Sequence, residues 1–237
     1  MNGSLLGEVW ESFFVEGQKV GFLRRVTAVS ATPNIFTATL HIMYGMARLR
    51  HKFSFYNEVG YPAHSYLFDT NDGAPVAVRF SDNQMICQVD EDIFTETVPA
   101  DARPCYGNYP LVIMMPFAEG AKVSFTQIDD GSCVVLGKAE LVSHGWDVVV
   151  INGQRLKLWL VGEYTNGQPG NRYWLDESRR VRQTQWRGAM SRWAANKEEA
   201  FSDLPTAWLK SVQALFDEDN DADWTSDVEK WLGGEGA

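Results

Sequence analysis

Turn signals cut this chain into pieces that suit strands and little else. Glu16-Gly17, Pro33-Asn34, Asn71-Asp72-Gly73, Asp129-Asp130-Gly131, Asn152-Gly153 and Asn166-Gly167 all favour chain reversal. Between such signals lie stretches rich in β-branched and aromatic residues, among them Glu8 to Val15, Val20 to Val29, Ile35 to Tyr44, Lys122 to Ile128 and Gln154 to Tyr164. The alternation is cleanest from Arg48 to Tyr56. Arg48, Arg50, Lys52 and Ser54 share one side there, and Leu49, His51, Phe53 and Phe55 the other. That pattern describes a sheet with one wet face and one buried face. The segments add up to about ten strands, few of them separated by a helix-length piece, so the expected fold is mainly β, an antiparallel open (half) barrel with C-terminal helices.

Residues 1–187 are expected to form the half-barrel, and residues 188–237 a helical C-terminal extension with an acidic tail packed on the same domain. The apolar stretch Leu111 to Phe117 suits a buried strand or a short helix, because periodicity does not discriminate at that length. Ser202-Asp203 ahead of Leu204-Pro205 is a helix start, and Leu204, Trp208, Leu209, Val212, Leu215 and Phe216 then make one apolar stripe. A second short amphipathic turn is expected from Thr225 to Leu232. Both helices are expected to cover the barrel mouth or an open sheet edge.

With 45% hydrophobic residues and 30 aromatics among 237, the chain is not built for disorder. No apolar run approaches the roughly 20 residues of a membrane-spanning helix. The net charge of −10 opposes polyphosphate binding, and it is unevenly placed. A basic surplus between Arg155 and Arg192 is followed by an acidic, Trp-containing tail from Glu198 onward, a candidate surface for a protein partner. Cys87, Cys105 and Cys133 show no zinc spacing and include at least one unpaired thiol, which points to a reducing compartment. The start of the chain carries no signal-peptide pattern, so the cytoplasm is expected, with the periplasm as the alternative if a leader was removed.

No nucleophile elbow, phosphate loop or metal-protease helix is present, and no metal or cofactor is expected. Asp217, Asp219, Asp221 and Asp223 resemble a calcium loop but lack its glycine and its final carboxylate. Among the histidines only His51 falls on an inward face, where burial would tune it for acid/base work. Glu163 and Tyr164 are candidate partners for it in catalysis. Cys105, with Arg103 the only charge nearby, is a weak candidate for a reactive thiol. The aromatic wealth of the strands is the most suggestive feature, since a barrel of this size either fills its interior or holds one ligand. Phe53, Phe55, Trp159, Trp174 and Arg182 are the candidate ligand-binding residues. Arg50 would point oppositely to His51.

Three short stretches carry a family resemblance. Trp10 precedes the hairpin Val15-Glu16-Gly17-Gln18-Lys19-Val20-Gly21. The middle reads Met115-Pro116-Phe117-Ala118-Glu119-Gly120-Ala121-Lys122-Val123, and Gly170-Asn171-Arg172-Tyr173-Trp174-Leu175-Asp176 is followed by Arg180-Val181-Arg182. Over roughly residues 8 to 187 this order resembles the LolA/LolB-like (VioE-like) open β-barrel superfamily, which includes related domains of unknown function. The resemblance implies a half-barrel that carries acylated proteins, binds apolar molecules or, in one branch, rearranges a small aromatic intermediate. The expected function is therefore binding of a small apolar or aromatic molecule in the concave face. The alternatives are a cofactor-independent cyclase, isomerase or lyase acting on such a molecule, and a protein-interaction module using the acidic tail.

Overall fold

The computed structural model describes residues 6–58, 60–81, 83–209 and 228. Its first run of strands is β1 (Gly7–Val15), β2 (Gln18–Val29), β3 (Ile35–Tyr44), β4 (Ala47–Tyr56), β5 (Ala63–Thr70), β6 (Val76–Ser81), β7 (Gln84–Val89) and β8 (Asp92–Thr97). The short strand β9 (Ala102–Pro104), a 3-10 turn (Cys105–Asn108) and the helix α1 (Tyr109–Met114) come next. The second run is β10 (Lys122–Ile128), β11 (Val135–Ile151), β12 (Gln154–Thr165), β13 (Gln168–Leu175), β14 (Val181–Trp186) and β15 (Ala189–Ala194), followed by α2 (Lys197–Phe201).

All of these strands join one sheet. Crossing it, β8 to β1 follow in reverse chain order, β1 lies beside β15, and β14 to β9 complete it. Every pairing is antiparallel except β9 with β10. Tight turns set the registers. At Asn152-Gly153 and Asn166-Gly167 both residues of each pair hold positive φ, the geometry of a two-residue hairpin turn. The mainly β, antiparallel open architecture is as read from the sequence, but the sheet has 15 strands rather than about ten. The long segment after Gly170 bends at Asp176–Arg180 and becomes two strands, β9 with three residues is too short to announce itself, and β15 falls in the segment expected to be helical. In the other direction, Val135 to Ile151 runs through Gly145 as one strand with a bulge.

β15 begins after residue 187 and inserts between β14 and β1, so the sheet extends past the half-barrel bounds read from the sequence. The apolar segment 111–117 is helical up to Met114. Pro110 sits in its first turn, and Met115 precedes Pro116, which disfavours further helix. Arg179 Nη1 donates to the Ile113 carbonyl at 3.0 Å, fixing the end of α1 against the β13–β14 turn.

The main core lies on the concave side. It joins Phe53, Phe55, Tyr66, Val78 and Met85 of the first run to α1 and to Phe125, Ile128, Leu141, Val161 and Leu175 of the second. The convex face is not uniformly wet, as the alternation implied. Trp10, Phe22 and Met43 on that side are covered by Ala200, Phe201, Leu204 and Trp208, so the helical segment packs on the middle of the sheet rather than on an edge. Val228 packs against Ala77, and Ser54 and Ser65, both buried, satisfy each other across β4 and β5 at 2.6 Å. The remaining expectations for the tail (the stripe from Val212 on, the aspartate-rich stretch and the turn from Thr225 to Leu232, Val228 apart) lie outside the described residues. No described helix is long and apolar enough to cross a membrane.

Candidate functional site

Beyond the reach of α1 the concave face is hollow. An inner chamber of about 280 Å³ is walled by Leu23, Arg25 and Leu40 on one side, by Gln127, Glu163 and Tyr173 on the other, and by Cys105, Tyr106 and Tyr109 of the crossing segment. An outer chamber of about 490 Å³ is lined mainly by Phe13, Val15, Tyr44 and Leu49, with Arg48 and Asp72 among its residues. The two share Ile42, Tyr106 and Trp186, so they adjoin at those side chains.

Sheet parity explains the inner walls. Glu163 is in phase with Trp159 and Val161 on β12, and Arg25 with Leu23 on β2, so both charged side chains point to the concave side. Glu163 is buried and Arg25 half-buried, and each is partnered differently. Arg25 Nε donates to Glu11 Oε1 at 2.7 Å, and the Ser191 hydroxyl donates to the other Glu11 oxygen. The guanidinium also lies 4.2 Å from the centre of the Tyr109 ring. Burial alone would lower its pKa, but the facing Glu11 carboxylate overrides this and holds it raised.

Glu163 has neutral partners. Its Oε1 accepts from Asn108 Nδ2 at 3.0 Å and Gln127 Nε2 at 2.7 Å, and its Oε2 from Asn171 Nδ2 at 2.9 Å and the Tyr173 hydroxyl at 3.0 Å. Thr165 donates in turn to Gln127 Oε1 at 2.6 Å, which fixes that amide's orientation. Burial pushes the Glu163 carboxyl up from the usual range, and the four donors oppose this without cancelling it. Burial also pushes up the Tyr109 and Tyr173 hydroxyls and carries Tyr106 to about 12. The Cys105 thiol is held well above its ordinary range by burial and by Asp130 and Glu163, so it faces the chamber protonated rather than as a nucleophile.

Of the residues singled out by sequence, Glu163 lines the inner chamber. His51 is buried on the concave side behind it, its Nε2 3.0 Å from Asp130 Oδ1 and its ring 5.8 Å from that of Tyr106. Tyr164, next along β12, turns to the convex side, where its hydroxyl lies 3.0 Å from His144 Nε2. Phe53 and Phe55 stack at 5.4 Å inside the packed core. Trp159 stacks on Phe117 at 5.0 Å and donates to Ser143 Oγ. Trp174 packs on the convex side with Ile151 and Leu158, and donates to Asp147. Arg182 lies 4.1 Å from the Trp193 ring centre and 3.5 Å from Asp176. Arg50 pairs with Asp69 at 3.0 Å.

The structure thus brings Glu163 together with Tyr173, one of the aromatics of the strands, and with four residues that the sequence does not single out: Arg25, Gln127, Asn171 and Thr184. A signal for Arg25 and its partner Glu11 was present, since both are charged residues in phase with the apolar positions Leu23 and Phe13. Thr184 is nearly fully buried, and its hydroxyl has no hydrogen-bond partner among the described residues. The same holds for Oδ1 of Asn108, whose amide nitrogen serves Glu163.

Solved structures of similar shape include a β-barrel-like protein of domain of unknown function DUF1849 from Brucella abortus. It has 9% identity and a TM-score of 0.51, covering 79% of this chain and 94% of that one. A DUF1089 family protein from Pseudomonas aeruginosa (9% identity, 70% and 89% covered) and the hypothetical lipoprotein YmcC from Escherichia coli (10%, 82% and 89%) match at TM-scores of 0.39 and 0.32. No family model and no curated protein matches the chain. At these identities the likeness is one of fold, a barrel-like open sheet.

Proposed function

We propose that this protein binds a small apolar or aromatic molecule in the concave face of its sheet, as members of the LolA/LolB-like open barrels do. The observation that carries this reading is the hollow itself: two adjoining chambers, apolar outside and polar at the inner end, the outer one within the roughly 300–1,000 Å³ usual for small-molecule sites. The barrel-like shape of the DUF1849 protein is compatible with such a role.

The test is displacement of an environment-sensitive hydrophobic dye, read against Ile42→Trp, which places a large ring where the chambers adjoin. Saturable dye binding by the wild-type chain, reduced at least fivefold in the variant, supports the reading. Absence of binding, or equal binding by a correctly folded variant, removes it.

A further inference from the structure

We infer that the inner chamber receives the ammonium group of an amine-bearing apolar molecule, with Glu163 as its counter-ion. This rests on the hollow being a ligand site and adds the sign of the ligand's charge.

Charge balance is the first argument. Two ionisable residues of opposite sign line the inner chamber, Arg25 and Glu163. Arg25 is already matched by Glu11, so that pair is neutral in sum. Glu163 is nearly fully buried and is held only by neutral amide and hydroxyl donors, with no Lys, Arg or His of the described residues paired to it. Those four donors fit an ionised carboxylate, because each oxygen accepts twice. A buried anion without an opposite charge is a costly arrangement, and a bound cation relieves it.

Hydrogen bonding gives the second. Thr184, a wall residue of the chamber, carries a buried hydroxyl with no hydrogen-bond partner among the described residues. An unserved oxygen in the same wall as a carboxylate suits a group with several donors and no acceptor, which is what an ammonium offers. The rings of Tyr106, Tyr109, Tyr173 and Trp186 line the same space, and aromatic rings attract cations. A carboxylate or phosphate head, by contrast, would meet Glu163 and would have to compete with Glu11 for Arg25. The apolar body would extend past Ile42 and Trp186 into the outer chamber. There Arg48 and Asp72 add one charge of each sign, so the sign preference is set inside.

Three probes of equal length decide the matter: n-octylammonium, n-octanol and n-octanoate, titrated calorimetrically against the full chain at pH 7.5 and fixed salt. The expected order is octylammonium tightest, at least tenfold ahead of octanoate, with octanol between. Glu163→Gln is expected to bring octylammonium to the level of octanol while octanol changes less than twofold. Thr184→Val should weaken octylammonium two- to fivefold.

Octanoate binding as well as or better than octylammonium in the wild type overturns the inference while leaving the hollow as a ligand site. So does an unchanged amine-to-alcohol ratio in a folded Glu163→Gln. If none of the three binds, this inference and the function proposed above fall together. Should Glu163→Gln not fold, the wild-type ranking decides alone.

Discussion

The two ends of the concave face are built from the same kind of wall and finished differently. At one end Phe53, Phe55, Tyr66, Met85, Phe125 and Ile128 are buried almost completely, and α1 with its preceding turn closes over them. At the other, Phe13, Leu23, Leu40 and Trp186 form a smaller cluster that borders open chambers. The crossing segment makes the difference. Gly107 lets the 3-10 turn press onto Phe53, since a Cβ there would stand only 3.2 Å from the ring and 2.9 Å from Pro104. Among the described residues α1 is the interior helix, and it fills that side while only Tyr109 at its start reaches the inner chamber. An open sheet finished this way is packed at one end and hollow at the other.

Deleting a ring at the packed end is the strongest test. Phe55→Ala is expected to cost about 3–5 kcal/mol, transfer and cavity terms together. Trp186→Ala, on a half-exposed ring beside the chambers, is expected to cost about 1 kcal/mol or less. Urea unfolding of both variants at matched m-value checks this. Equal costs would mean that the two ends are packed alike.

Adding volume should reverse the asymmetry. Ala139 is fully buried in the main core, so Ala139→Leu is expected to lose about 1–3 kcal/mol by overpacking. Ile42→Trp has free space on two sides and is expected to change stability by less than about 1 kcal/mol. Thermal melts of both, with the dye titration run on the second, separate a tolerated substitution from a blocked chamber.

This contrast was legible in the sequence only in part. Alternation in Arg48–Tyr56 put His51, Phe53 and Phe55 on the inner side, because strand parity is a local property. Nothing local distinguishes a ring that fills a core from one that lines a hollow, and Phe53 and Phe55 turned out to be fillers. Glu163 reached the site because parity set it among apolar neighbours. Its four donors come from α1's N-cap, β10 and β13, meetings that only the tertiary fold decides. The strand count fell short for the same reason: β9 exists as a strand because β10 runs beside it.

Glu163 gives a smaller, pH-dependent signal. Its carboxyl titrates higher folded than unfolded, so the folded state binds the extra proton between the two values. Stability from this group is therefore fully present below the unfolded value, near the ordinary 4.5, and is lost as pH rises through the folded value. Relative to Glu163→Gln, the wild-type chain is expected to lose melting temperature on going from pH 4 toward neutrality. A difference that stays flat, or grows in the wild type's favour, would mean that the four donors outweigh burial. The polar end would then be as settled as the packed one.

The tyrosines give the finest distinction, since Tyr66 belongs to the packed end and Tyr106, Tyr109 and Tyr173 to the hollow one. Burial raises all four, Tyr106 to about 12. For these acids, too, the stabilising contribution disappears as pH climbs through the folded values, so alkaline unfolding should expose them together. Below that transition, an absorbance titration should show these four of the eight tyrosines silent at pH 11. A ligand filling the inner chamber should delay Tyr106 further and leave Tyr66 unmoved, because Tyr106 lines that chamber and Tyr66 does not. A Tyr66 that shifted equally would show the two ends responding as one body, and the division between filler and hollow would then have no energetic meaning.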